Sequence, residues 1–113
     1  MATLTSHALN GLDGSHAGGI HVSLVKGGSP EPLRSSKTDD GGRLSFEFDP
    51  SEIDYDVSYE LVFHVEPYWI DRGLQSDGVI SEIVLRFKMP DASGEYHMPV
   101  ILSPFSYSTW KSG

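Results

Sequence analysis

Apolar and polar residues alternate along most of this chain, the period of strands whose two faces meet different surroundings. The plainest case is Val57-Ser58-Tyr59-Glu60-Leu61-Val62-Phe63-His64-Val65. Val57, Tyr59, Leu61, Phe63 and Val65 share one face, while Ser58, Glu60 and His64 point the other way. Ile20 to Val25 repeats the pattern with Ile20, Val22 and Leu24 inward, and Arg43-Leu44-Ser45-Phe46-Glu47-Phe48 repeats it again. Ile80 to Met89 is read as a strand that buries Ile83, Leu85 and Phe87. Near the start, Leu4, Ser6 and Ala8 alternate with Thr5, His7 and Leu9. From Tyr96 an alternating strand carries a histidine, breaks at Ser103-Pro104, and resumes as a second strand.

Turn chemistry separates these runs. Asn10-Gly11 and Asp13-Gly14 end the first, and Gly27-Gly28-Ser29-Pro30-Glu31-Pro32 is a loop, because prolines cannot serve a central ladder. Arg34 to Thr38 is expected as an edge strand, and Asp39-Asp40-Gly41-Gly42 as a tight hairpin turn into Arg43. Pro67 to Gly73 fits one short helix, with proline in its first turn and glycine just past its end. Seven or eight strands so punctuated predict an all-β fold, a Greek-key β-sandwich of two sheets.

Bulk properties narrow the function. The 113 residues fit a single domain, 1–113, with one core. A net charge of −8 argues against nucleic acid as partner. The chain has no cysteine, so neither disulfides nor thiolate metal sites arise. No apolar run approaches a membrane span, and no basic-then-apolar leader opens the chain, so a cytoplasmic protein is expected. Five histidines invite a metal test, but no His-x-x-x-His spacing occurs, and no metal or other cofactor is expected.

Three short motifs carry the chemistry. Leu4-Thr5-Ser6-His7-Ala8-Leu9-Asn10 is similar to Leu-Ser-Thr-His-Val-Leu-Asp, and Thr38-Asp39-Asp40-Gly41-Gly42-Arg43 to Thr-x-x-Asp-Gly-Arg. Tyr96-His97-Met98-Pro99, followed by Ser103-Pro104-Phe105-Ser106-Tyr107-Ser108-Thr109, matches a Tyr-His-x-Pro strand pair. On these residues the chain resembles the transthyretin family, and in particular its 5-hydroxyisourate hydrolase branch. The resemblance implies a two-sheet sandwich with one short helix and a homotetramer whose sites lie between dimers. It also implies a small cyclic substrate and an active site lined by His7, Arg43 and His97. The carrier branch lacks both histidines, so keeping them favours the enzyme.

Those residue types suit the implied reaction. Neutral imidazole accepts and returns a proton near neutrality, and a guanidinium stays charged while donating to carbonyl oxygens. His7 and His97 are therefore assigned to water activation and proton return, and Arg43 to polarising the substrate. His16, His21 and His64 read as ordinary exposed or satisfied polar residues. The family's ending, Tyr-Ser-Thr-Tyr-Arg-Gly-Ser, becomes Tyr107-Ser108-Thr109-Trp110-Lys111-Ser112-Gly113. Ser108, Trp110, Lys111 and Ser112 thus stand as substrate-binding candidates, with Lys111 replacing a planar fork by a point charge. The segment Ser76 to Glu82 also lacks the family's Phe-Phe-Pro-Glu. Two alternatives remain open: a diverged His/Arg enzyme for another cyclic compound, and a non-catalytic small-ligand carrier.

Overall fold

Strand alternation becomes sidedness in the computed structural model, which describes residues 1–74 and 78–112. In β1 (Ala2–Asn10) every even-numbered residue is buried, and Thr3, Thr5, His7 and Leu9 lie half-buried on the outer face. β4 (Arg43–Phe48) and β5 (Tyr59–His64) alternate in the same way. The remaining strands are β2 (His21–Lys26), β3 (Pro32–Lys37), β6 (Glu82–Phe87), β7 (Glu95–His97), β8 (Val100–Ser103) and β9 (Ser106–Thr109). One sheet runs β4-β1-β8-β9, with β7 also paired to β1; the other runs β3-β2-β5-β6. The result is the expected all-β, two-sheet sandwich with one short α-helix.

The inner faces close over one core. Val22, Leu24, Tyr59, Leu61, Phe63, Phe48, Val100 and Leu102 are almost wholly removed from water. Each such side chain contributes about 1.5 to 3 kcal/mol by burial. Helix α1 (Glu66–Asp71) has Pro67 in its first turn and Gly73 at φ +76° just beyond it, as the sequence predicts. Its buried Tyr68 hydroxyl accepts a hydrogen bond from Asn10 Nδ2 at 3.2 Å, which ties the helix to the end of β1.

Three expectations need correction. Nine strands occur among the described residues, because the stretch from Tyr96 to Ser103 is two strands and not one. Pro99 lacks an N–H and interrupts the ladder, yet β7 and β8 both run parallel to β1 with no slip between Thr5↔His97 and Ala8↔Val100. The Asp39–Gly42 turn does not join hairpin neighbours: β3 and β4 lie in different sheets, so it carries the chain across the sandwich. Phe87 is only partly buried, because it ends β6. The missing aromatic run falls partly on Ser76 and Asp77, which lie outside the described residues, as does Gly113.

Candidate active site

β1 is the scaffold of the candidate site, since it is flanked by β4 on one side and by β7 and β8 on the other. Antiparallel register sets Arg43 directly opposite His7, and Ser45 opposite Thr5. Parallel register on the other edge sets His97 beside Thr5. Period two keeps His7 and Thr5 on the same outer face. Strands from both ends of the chain and from its middle thereby deliver two imidazoles and a guanidinium to one patch.

Local contacts fix these groups. Thr5 Oγ1 lies 2.7 Å from His97 Nδ1, which leaves Nε2 as the His97 nitrogen for a ligand. The Ser6 hydroxyl donates to the Met98 carbonyl at 2.7 Å, and the Met98 N–H donates to the Thr5 carbonyl at 2.9 Å, clamping β7 to β1. The Arg43 backbone is held by Asp39, whose Oδ1 accepts from the Gly41 N–H at 2.9 Å and the Arg43 N–H at 2.8 Å. Gly42, at φ +74°, donates to the Asp39 carbonyl, and its own carbonyl accepts the Ala8 N–H at 2.7 Å. A Cβ on Gly42 would stand 2.3 Å from the Ala8 carbonyl oxygen, so only glycine lets the turn lie this close to β1.

A cavity of about 260 Å³ opens here, lined by Thr5, Ser6, Asp39, Arg43, Leu44, Ser45 and His97. A second, of about 330 Å³, meets it at Thr5 and His97 and is also lined by Ser112. The His7 pKa lies below its ordinary value, chiefly because burial disfavours the cation and then because the Arg43 guanidinium is near. His16 and His97 act in the same direction, and hydrogen bonding to the Gly41 backbone opposes them. His7 is therefore a neutral imidazole at pH 7, able to take a proton.

Of the other predicted residues, Ser112 joins this patch and the rest are dispersed. Ser112 pairs with His97, its N–H donating to the His97 carbonyl at 3.2 Å. Ser108 is exposed on β9 opposite Ile101, and Trp110 is also exposed. Lys111 lines a different cavity, of about 630 Å³, beside Phe87, Tyr96 and Met98. His21 and His64 oppose each other on the other sheet, and His64 Nδ1 lies 3.1 Å from Glu82. No group of three or more metal-ligating side chains able to hold an ion occurs among the described residues.

His16 was missed by the sequence reading. After β1 the chain doubles back, Leu9 and His16 forming an antiparallel bridge. His16 Nδ1 consequently lies 3.0 Å from His7 Nε2, with the rings 24° from parallel. The Asn10-Gly11 and Asp13-Gly14 pairs signal the turn-back, but nothing in the sequence signals how close the two rings come.

A two-sheet sandwich bearing two imidazoles and an arginine on an outer sheet face defines a transthyretin-type β-sandwich with a polar candidate site. The chain belongs to the HIUase/Transthyretin family, whose model matches residues 4–112. It is 34% identical over 111 residues to a 5-hydroxyisourate hydrolase of Deinococcus radiodurans, covering 96% of this chain and 93% of that protein. It is 33% identical over 115 residues to the Pseudomonas aeruginosa 5-hydroxyisourate hydrolase, covering 98% and 91%. The solved structure of Klebsiella pneumoniae 5-hydroxyisourate hydrolase superposes over 100% of both chains with a TM-score of 0.83 and 26% identity.

Proposed function

We propose that this chain hydrolyses 5-hydroxyisourate, opening its ring at a carbonyl, as one transthyretin-like domain spanning residues 1–113. The observation that carries the reading is the strand register that brings His7, Arg43 and His97 to one outer face, the two histidines half-buried and Arg43 exposed. Neutral His7 takes a proton from water as the water oxygen bonds to the ring carbonyl carbon. Arg43 donates to the oxygen that gains negative charge, an effect worth on the order of 3 kcal/mol per donor. The carbon–nitrogen bond then breaks as His97, held through Nδ1 by Thr5, gives a proton from Nε2 to the leaving nitrogen. The proton taken up by His7 passes through solvent to His97, so both rings end as they began. The product is a ring-opened carboxylate. Every atom comes from substrate and water, so the step calls on no cofactor.

The same reading places the protein in the cytoplasm as a homotetramer, the outer face of the β1 sheet being the side on which another copy would enclose the substrate. No helix among the described residues is long and apolar enough to cross a membrane. The presence of both histidines favours hydrolysis over ligand carriage.

The test follows the ultraviolet absorbance of freshly generated 5-hydroxyisourate with and without the protein. Wild type accelerates its loss, and His7→Ala or His97→Ala reduces kcat by about 100-fold or more with circular dichroism unchanged. A wild-type rate equal to the spontaneous rate refutes the function, and full activity in either variant refutes the assignment of roles.

A further inference from the structure

His7 is a base with two nitrogens, and only a bare one can accept a proton. The chain directs one of them toward a third histidine. The segment after β1 folds back with the Asn10 N–H donating to the Ser15 carbonyl at 2.8 Å and the Ala17 N–H to the Ala8 carbonyl at 2.9 Å. Leu9 and His16 are bridge partners, so His7 is the diagonal neighbour of His16, within side-chain reach. The approach is braced from below. Gly42 lies under both Ala8 and Ala17, where a Cβ would meet the Ala8 oxygen at 2.3 Å and the Ala17 nitrogen at 3.1 Å. His7 Nε2 and His16 Nδ1 end 3.0 Å apart, a full hydrogen bond.

We infer that His16 is a positioning residue for His7, accepting the His7 Nε2–H at its own Nδ1 so that His7 Nδ1 stays bare for the proton of the attacking water. The inference rests on the hydrolase reading above. Two neutral imidazoles in contact need one donor and one acceptor, so this bond selects a tautomer as well as an orientation. Arg43, directly across from His7, offers donors only, and its positive charge favours a bare nitrogen on the neighbouring ring. When His7 becomes charged, its Nε2–H bond to His16 becomes charge-assisted, and the Gly41 backbone favours the second proton. The arrangement gives an imidazole the task that a carboxylate performs in other histidine-based sites, without fixing a negative charge beside the substrate.

Two measurements test this. His16→Ala lowers kcat about tenfold, the scale of one lost orienting hydrogen bond, with KM within about twofold. His16→Asn, whose amide oxygen can accept from His7, restores most of the loss. Ring nitrogen-15 spectra of the wild-type protein above the His7 pKa show Nε2 protonated and Nδ1 bare, and His16→Ala gives a mixture of tautomers. Unchanged kcat in His16→Ala, failure of His16→Asn to rescue, or a bare Nε2 in the wild type overturns the inference. A wild-type protein with no turnover refutes the hydrolase reading instead, so the two failures are distinguishable.

Discussion

Gly42 concentrates several requirements in one position, and substituting it tests how the site is built. Three glycine-to-alanine changes form a graded series. At Gly41 the φ is not positive and a new Cβ meets nothing closer than Asp39 Oδ1 at 3.4 Å. Alanine there is neutral or stabilising by about 0.5 kcal/mol, through reduced freedom of the unfolded chain. At Gly14, φ +77° with nothing within 4 Å, only the left-handed backbone is penalised, about 1 to 2 kcal/mol. At Gly42 the same penalty applies at φ +74°, and the Cβ falls short of the 3.0 Å floor for real contacts by 3.0 − 2.3 = 0.7 Å. Overpacking adds about 1 to 3 kcal/mol, and disturbing the Ala8-to-Gly42 hydrogen bond adds about 1 kcal/mol. Gly42→Ala should therefore destabilise by about 3 to 6 kcal/mol in urea unfolding at fixed protomer concentration. Where the variant still folds, the shifted turn displaces Arg43, and a displacement near 1 Å lowers turnover on the order of 100-fold. A Gly42→Ala stability within about 0.5 kcal/mol of Gly14→Ala would show that the close approach to β1 is not a constraint, and this account of the turn would fail.

The pH dependence follows from the lowered His7 pKa. Activity needs the neutral ring, so kcat/KM falls on acidification with a midpoint below the ordinary 6.5, and a midpoint at or above that value contradicts the assignment. The unfolded chain binds this proton more readily, so stability is full above 6.5 and declines as pH falls from there through the folded-state value, as urea midpoints would show. Arg43→Lys keeps the charge but loses the planar fork, and should lower kcat/KM by about tenfold or more in the absorbance assay with unfolding unchanged. Thr5→Val preserves shape but removes the 2.7 Å partner of His97 Nδ1, which should cost about 1 kcal/mol of stability and broaden the His97 tautomer signals in ring nitrogen spectra.

Alternation was sufficient to read the faces of β1, β4 and β5, because burial on one side imposes a strict period of two. Pro67 and Gly73 were sufficient to bracket the helix, because each acts within its own turn. Nonlocal facts were hidden. Period two places His7 on a face but does not reveal that Arg43 lies across from it or that β7 runs parallel beside it. Those depend on register between distant segments, and here the family motifs supplied what spacing lacked. Met98-Pro99 reads as a continuous strand because alternation survives the missing N–H, so the division into β7 and β8 escaped notice. His16 is not legible in the sequence, because a histidine after Asp13-Gly14-Ser15 looks like a solvated turn residue. Lys111 and Ser112 both fall on the family's C-terminal ending, yet consecutive residues of an extended chain point to opposite sides, and the two line different cavities.

The bond between Thr5 and His97 spans 92 positions. No fragment shorter than that span can own a complete reaction centre, however well its local strands form. A chain emerging from the ribosome as far as Lys88 already has His7 and Arg43, but it waits for His97. Refolding should accordingly restore backbone dichroism before it restores turnover, because so nonlocal a contact carries a high loop-closure cost. The protein becomes an enzyme only when its two ends meet.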